Sequence, residues 1–263
     1  MVGATTSVTG GVAVVGGASG TLGRAITTRL AGRGLQVVAV ARGREGLDAL
    51  RMSTGAVAVV ADLEDDQAVA TLSAAVAEAV AGAAGPVRMV VQAAGLAGGG
   101  DIDHVGGHDL ASGVNRKVGG FLRLIRASAP WLAPGSRLVA LGGHYGTEPS
   151  PAAPLAGVVN AGLANLARAL AARHGPDGVT VHVVAPGPVE SERIGVIAAR
   201  MASLRPATST DDVLDELRGE SPLGRFTHVD EVAWAVTLLL DDEAAAMTGA
   251  VLQLDAGRRK GVG

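Results

Sequence analysis

Residues 11–25, GVAVVGGASGTLGRA, pass from a short valine-rich run through a glycine-rich turn into an amphipathic stretch. Glycine permits a tight turn and close approach of the backbone to a ligand, and the first turn of a helix offers unpaired N–H groups at its positive dipole end. A position between a strand and a helix is also the context that a dinucleotide-binding turn requires. We therefore predict a pyrophosphate site here. The residues predicted to shape or bind it are Gly17, Ser19, Gly20, Thr21, Leu22 and Gly23.

The rest of the chain repeats this alternation of valine-rich runs and longer amphipathic stretches. The predicted strands are 11–15, 36–41, 56–60, 88–92, 137–141, 180–184 and 250–254. The predicted helices include 22–32, 67–81, 115–131, 160–174 and 230–240. Strands that alternate with helices form parallel crossovers, and strands that are apolar throughout are buried on both faces. Residues 1–263 are therefore predicted to form a single-domain Rossmann fold, a doubly wound parallel sheet of about seven strands with helices on both faces.

Composition narrows the possible functions. The chain contains 48% hydrophobic residues and no cysteine, and its formal net charge is −3. Without cysteine there is no disulfide, thiolate nucleophile or cysteine-based zinc site. The charge offers no basic field for nucleic acid. Residues 1–10 lack the features of a signal peptide, and no later segment gives about 18 uninterrupted apolar residues. We expect a cytoplasmic protein that binds neither nucleic acid nor membrane.

The end of the second predicted strand indicates which dinucleotide to expect. A protein that prefers NAD(H) usually carries an acid there, which accepts a hydrogen bond from the ribose 2′-hydroxyl. This chain has Ala41-Arg42-Gly43-Arg44 instead. Arg42, with Arg44 close behind, can donate charge-assisted hydrogen bonds to a 2′-phosphate, although both can equally be solvated surface arginines. We expect NADP(H) in preference to NAD(H).

Several segments resemble motifs of the short-chain dehydrogenase/reductase family, and the resemblance spans nearly the whole chain. The segments include Asp62-Leu63, Gln92-Ala93-Ala94-Gly95, Asn115, Pro186-Gly187-Pro188-Val189-Glu190-Ser191 and Asp255-Ala256-Gly257. The glycine spacing of the first turn is similar to that of extended and atypical members. The resemblance implies a nicotinamide cofactor and a homo-oligomer, dimer or tetramer. The cofactor contacts it implies, beyond the first turn and Arg42, are Asp62, Leu63, Ala94, Gly95, Asn160, Pro186, Gly187 and Val189.

The family's catalytic positions carry unusual residues in this chain. Active members use a serine that binds the substrate carbonyl, a tyrosine that transfers the proton, and a lysine that lowers the tyrosine pKa and holds the ribose. The resemblance places Gly143, Ala156 and Asn160 at these positions. Ala156 has no proton to give, and Asn160 can hydrogen-bond ribose hydroxyls but carries no charge. Asn115 aligns with the asparagine that helps to organise a proton-relay water, so Asn115 and Asn160 are candidate catalytic residues.

The only tyrosine of the chain follows the strand that ends near Gly143. Tyr145, or His144 beside it, could serve as a relocated acid, or both could simply line the pocket wall. The predicted substrate contacts are Leu96, Gly143, His144, Tyr145 and Ala156. Because Gly143 and Ala156 are small, we expect room for a bulky, mostly apolar small molecule. Residues 191–226 break the alternation and are predicted to form a substrate lid, with disorder as the competing interpretation.

Three functions remain open from the sequence. The first is an NADP(H)-dependent oxidoreductase of atypical mechanism that acts on a carbonyl or hydroxyl. The second is a non-redox enzyme such as a cyclase, isomerase or dehydratase, and the third is a cofactor-binding pseudoenzyme. The redox hypothesis ranks first because hydride chemistry belongs to the cofactor and the protein mainly positions it. His104 and His108 lie near two aspartates, but their glycine-rich surroundings indicate loop polarity, so no metal is expected.

Overall fold

The computed structural model describes residues 10–96, 100–203 and 205–261, so the expectation for residues 1–10 falls outside it except at Gly10. The strands are β1 (Val12–Gly16), β2 (Gln36–Ala41), β3 (Val57–Val60), β4 (Val87–Gln92), β5 (Leu132–Leu141), β6 (Thr180–Pro186) and β7 (Val251–Leu254). The α-helices are α1 (Thr21–Gly32), α2 (Arg44–Thr54), α3 (Ala68–Ala83), α4 (Gly107–Val114), α5 (Gly120–Ser128), α6 (Pro154–His174), α7 (Glu192–Ser203), α8 (Thr210–Gly219) and α9 (Val229–Leu238). The predicted alternation of strands and helices is confirmed.

All seven strands form one parallel sheet in the order β3-β2-β1-β4-β5-β6-β7. The predicted doubly wound fold is therefore confirmed. The chain winds outward in both directions from the neighbouring strands β1 and β4, which open a crevice at their carboxyl ends. The first glycine-rich turn, the loop after β4 and the ends of β5 and β6 all lie at this edge of the sheet.

The sheet is covered on both faces, and its strands are mostly apolar. Ala13 and Val15 of β1 belong to one buried layer, which includes side chains of α1, α2 and α9. Val12 and Val14 face the other way, into a layer with side chains of α3, α5 and α6. This is the period of two that a strand imposes on its side chains. The two apolar layers therefore fix the strands whose ends form the edge where the crevice opens.

Helix α6 is the longest helix in the described part of the chain. With the turn that follows it, Pro154–Asp177 is long and apolar enough to cross a membrane by length and composition alone. However, Leu155, Val159, Leu163 and Ala167 are buried inside the protein, and the last two pack in the layer beneath the sheet. These contacts are those of a core helix.

Two regions differ from the sequence prediction. The helix predicted for 115–131 begins with a π-helical turn, Asn115–Gly119, which continues α4 and leads into α5. The segment 191–226 contains α7 and α8, which pack through Ala198, Val213 and Leu217 into a small apolar cluster of their own. A π-turn inside a helix is frequently found at a functional site.

Candidate functional site

The glycine-rich turn forms a close backbone cradle. Gly17 has φ +72°, and a Cβ there would lie 2.5 Å from the Ala94 amide nitrogen of the next loop. A Cβ at Gly23 would collide with the Gly17 carbonyl. Gly20 is the N-cap residue of α1, with no side-chain cap, and the first turn holds no acidic residue. The amides that open α1 are therefore available to an anion, and this arrangement suits a dinucleotide pyrophosphate.

Arg42 and Arg44 follow β2 at the same edge of the sheet. The Arg42 side chain is 64% exposed, and its guanidinium lies 4.0 Å from a carboxylate oxygen of Glu64. That oxygen is held more closely by Arg116, at 2.7 Å. Arg44 begins α2 and is exposed. Among the described residues Arg42 has only this long contact to Glu64, and it is otherwise exposed, so its guanidinium can turn toward a phosphate at the end of β2.

The remaining predicted cofactor contacts surround the crevice. Leu63 packs over Gly16 at the end of β1, and the Asp62 carboxylate accepts a hydrogen bond from the Glu64 amide at 3.0 Å. Ala94 and Gly95 follow β4 beside the glycine turn. Pro186 ends β6, and the Gly187 amide donates to the Leu254 carbonyl at 3.0 Å. Val189 pairs with Thr227 in an isolated parallel bridge.

Gly143 and Asn160 are brought together at the ends of β5 and β6. A Cβ at Gly143 would lie 2.7 Å from the Asn160 side-chain nitrogen and 3.9 Å from the Pro186 carbonyl oxygen. Ala156 precedes Asn160 by one turn of α6 and is half-buried. The glycine therefore leaves the space that the Asn160 amide occupies.

Asn115 does not join this group. Its side-chain nitrogen donates to the Glu64 carbonyl at 2.9 Å, and its side-chain oxygen accepts from the buried Arg123 at 2.9 Å. Arg123 also donates to the Leu63 carbonyl at 2.9 Å. Asn115 thus ties the π-turn to the loop after β3, and its side chain is engaged away from Asn160.

His144 and Tyr145 form a short 3₁₀ turn after β5, with their ring centroids 3.9 Å apart. His144 is buried, and burial, with the positive charge of Arg258 acting in the same direction, lowers its pKa. Its Nε2 atom has no hydrogen-bond partner among the described residues. Tyr145 interacts with Arg258, whose guanidinium also pairs with Glu220. The tyrosine is therefore engaged by the C-terminal segment.

Sequence reasoning missed Lys117, which lies at the centre of the site. Its side chain is buried, and Nζ donates to the Asn160 side-chain oxygen at 2.8 Å and to the Gly142 carbonyl at 3.2 Å. Burial, assisted by the positive charge of Arg193, lowers the pKa of Lys117 from its ordinary 10.5 to about 7. A signal was present in the sequence, because Lys117 lies one helical turn from Gly113 and from Gly120, and two turns from Leu124, on the inward face.

The π-turn that carries Lys117 is anchored from β4. The buried Gln92 side chain donates to the Arg116 carbonyl at 3.0 Å and to the Lys117 carbonyl at 3.4 Å, and it accepts from the Ala94 amide at 3.2 Å. One side chain therefore links the loop beside the glycine turn to the backbone of Lys117.

Helix α7 reaches over the crevice from the other side. Arg193 donates to the Leu96 carbonyl at 2.9 Å, which joins the segment predicted as a lid to the loop after β4. A cavity of about 370 Å³ lies elsewhere and contains none of the predicted site residues. It is lined by Glu190, Arg218, Arg225, Phe226, His228 and Glu231. Within it Arg225 and Glu231 form an ion pair at 2.6 Å.

Comparison with known proteins gives the same family as the motifs. A family model described as enoyl-(acyl carrier protein) reductase matches residues 17–259. The short-chain reductase protein NovJ of Streptomyces niveus is 30% identical over 259 residues, covering 94% of this chain and 93% of NovJ. The 3-oxoacyl-(acyl carrier protein) reductase FabG of Escherichia coli is 27% identical over 252 residues, covering 94% and 97%.

A solved structure extends the likeness over the full length. The L-sorbose reductase of Gluconobacter frateurii, solved in complex with NADPH and L-sorbose, superposes with a TM-score of 0.85 at 23% identity, covering 98% of this chain and 100% of that one. At that identity the likeness shows the fold alone. Taken with the family model and the two reductases, the chain belongs to the short-chain dehydrogenase/reductase family of oxidoreductases.

Proposed function

We propose that the protein is an NADP(H)-dependent oxidoreductase with an atypical active site, which interconverts a carbonyl and a hydroxyl on a bulky, mostly apolar small molecule. The observation that carries this proposal is the uncapped backbone cradle at the start of α1, which lies at the same edge of the sheet as the pocket formed by Gly143, Asn160 and Pro186. The family relatives, which are named as reductases, support the redox assignment.

Each part of the crevice has a role in this proposal. The nicotinamide ring of the bound dinucleotide would accept or donate the hydride. The amides of residues 19–22 bind its phosphates, and Arg42 donates to the 2′-phosphate. Pro186 and Val189 cover the nicotinamide, and the side-chain nitrogen of Asn160, whose oxygen accepts from Lys117, is available to the ribose hydroxyls. The chain thus positions the reactive ring beside Gly143.

In this proposal the substrate lies on the Ala156 side of the site, because the Asn160 amide fills the space next to Gly143. Gly143 and Ala156 offer no hydroxyl and little bulk. Leu96, His144 and Tyr145 supply the apolar and aromatic walls, and α7 with α8 forms the lid, held by the contact of Arg193 with the Leu96 carbonyl. Such a pocket favours a large substrate that is positioned mainly by its apolar surface.

Turnover with a substrate panel tests the redox function. Absorbance of the reduced nicotinamide is followed with NADPH and bulky ketones, and with NADP⁺ and the matching alcohols. The proposal expects turnover with apolar, bulky members of the panel. A non-redox enzyme, which the lack of hydroxyls at Gly143 and Ala156 would favour, is indicated instead by a rearranged or dehydrated product with no change in the nicotinamide band. Cofactor binding without any reaction would indicate a pseudoenzyme.

Removal of the Arg42 guanidinium should weaken NADPH binding selectively. A charge-assisted hydrogen bond contributes about 1.5–3 kcal/mol, so Arg42→Ala is expected to raise the Kd for NADPH at least about tenfold and to leave the Kd for NADH unchanged. Calorimetry measures both constants. Arg51→Ala, which removes an exposed arginine from the last turn of α2, is the matched control. Equal losses for both cofactors would contradict a 2′-phosphate role.

A homo-oligomer in the cytoplasm completes the proposal. Val114 of α4 and Val158 of α6 are exposed, as is Trp234 of α9, and apolar side chains on unpartnered helices favour association. Light scattering is expected to give a dimer or tetramer, and Val158→Glu is expected to shift it toward the monomer. Val196→Glu, at an exposed valine of α7, should leave the assembly unchanged. A monomeric wild-type protein would refute the proposed homo-oligomer.

A further inference from the structure

We propose that Lys117 is the acid–base residue of this site, the group that exchanges a proton with the substrate oxygen when hydride is transferred. The inference rests on the proposed redox function and names a residue that the family motifs do not assign to this role.

The amine of Lys117 is buried and hydrogen-bonded to uncharged groups. The Lys117 side chain is 5% exposed, and in the described part of the chain its Nζ forms no ion pair with a carboxylate. Its two acceptors are the neutral oxygens of Asn160 and Gly142. An ammonium has three N–H donors and an amine has two. Two N–H groups of Nζ donate to Asn160 and Gly142. The third position on the nitrogen carries a proton in the ammonium and a lone pair in the amine, so the proton is exchanged there.

The residues at the family's lysine and serine positions, Asn160 and Gly143, are compatible with a buried lysine at position 117. A lysine at position 160 would bring a second ammonium against Lys117 in a buried space, which is unfavourable. Asparagine instead supplies the oxygen that accepts from Lys117. A Cβ at Gly143 would lie 2.7 Å from the Asn160 nitrogen, so glycine there leaves room for this asparagine. The positive charge of this site is therefore carried by Lys117 on the π-turn, and Asn160 and Gly143 leave room for it.

The charge environment of Lys117 also supports the proposal. Among the elements packed around Lys117, α7 contributes the positive Arg193, and the turn packed on α6 carries His144 and Tyr145. On its own helix, Arg116 pairs with Glu64 at 2.7 Å and Arg123 with Asp66 at 2.7 Å. Burial and the positive charge of Arg193 lower the pKa of Lys117 to about 7. Both protonation states are then populated near neutral pH, as an acid–base catalyst requires.

Reduction of a carbonyl by this site transfers one hydride to carbon and one proton to oxygen. The carbonyl carbon accepts a hydride, with its two electrons, from the reduced nicotinamide dinucleotide, and the carbonyl π pair moves to the oxygen. That oxygen takes a proton from the Lys117 ammonium, which gives the alcohol and leaves a neutral amine. Water returns the proton to the amine. In alcohol oxidation each transfer runs in reverse.

The chain allows a direct measurement, since Lys117 and Lys260 are its only lysines. The full-length protein is labelled with ¹³C at lysine Cε, and Lys260→Arg assigns the two NMR signals. Without cofactor, the Lys117 signal is expected to titrate with a midpoint of about 7. A midpoint in the ordinary lysine range would overturn the proposal, and this measurement depends on neither cofactor nor substrate.

The same signal then reports the position of Lys117 relative to the nicotinamide. The oxidised ring carries a positive charge and the reduced ring does not, whereas the phosphates of NADP⁺ and NADPH are the same. We expect a lower Lys117 midpoint in the NADP⁺ complex than in the NADPH complex, because a like charge close by disfavours the ammonium. Equal midpoints in two saturated complexes would sink the proposal. If neither cofactor binds, the proposed function fails, and the titration without cofactor still decides whether Lys117 is poised to exchange protons.

Discussion

Gly20→Asp is expected to abolish binding of NADPH without destabilising the fold. Gly20 is the N-cap residue of α1, with φ −74° and ψ 165°, a conformation that any residue adopts. Among the residues that the structure describes, a Cβ there meets only the Gly17 carbonyl, at 3.5 Å. An aspartate cap accepts hydrogen bonds from the amides that open the helix and complements the dipole, so the free energy of unfolding should stay equal or rise by about 1 kcal/mol.

The same carboxylate occupies the position that the pyrophosphate needs and repels it. The Kd for NADPH is therefore expected to rise about 100-fold or more, as measured by calorimetry. Gly20→Ala is the matched control, because it adds the Cβ without the charge and should retain most of the affinity. If Gly20→Asp folded normally and bound NADPH as the wild type does, the phosphates would have to bind elsewhere.

Lys117→Met is expected to stabilise the protein while removing its turnover. The pKa of Lys117 in the fold is about 7 against an ordinary 10.5, so the folded state disfavours the ammonium. The penalty is fully present below pH 7, falls as the pH rises from 7 to 10.5, and is absent above 10.5, where the unfolded chain has also lost the proton. Methionine fills the space without a charge. After allowing for the two lost hydrogen bonds, the free energy of unfolding at pH 7 should rise by about 3 kcal/mol.

A merely structural lysine gives the opposite result. If Lys117 served only to tie the π-turn to α6 through Asn160, its removal would lower the stability and leave turnover nearly intact. Denaturant unfolding gives the stability, and the rate with an accepted carbonyl gives the turnover, which we expect to fall about 100-fold or more. Lys260→Met, at an exposed position, should change neither quantity. A gain in stability with a loss of activity is the signature of a functional residue.

The sequence was informative about the fold because its signals are local. Valine-rich runs and amphipathic stretches alternate within windows of a few residues, and six of the seven strands lie within two residues of their predicted bounds. The glycine turn could also be predicted, since strand, turn and helix follow one another directly. Helix α8 could have been found by its capping box, in which Ser209 and Asp212 exchange hydrogen bonds.

The centre of the site depends on contacts between distant parts of the chain. The side chain of Asn115 is held by Glu64 and Arg123, and these partners direct it away from Asn160. Lys117 reaches Asn160 across 43 positions of sequence, from a π-turn that Gln92 anchors. Pairing of this kind is set by how the helices pack on the sheet. A search for residues at the family's catalytic positions could therefore show what is missing but not the lysine beside them.

A crystal structure of the protein grown with saturating NADPH tests the central claim most directly. We expect the pyrophosphate over residues 19–22, the 2′-phosphate on the Arg42 guanidinium, and the nicotinamide beside Gly143 with the Lys117 amine within reach of the substrate side. A crevice that stays empty or blocked at saturating NADPH, with Arg42 turned elsewhere, would contradict the account.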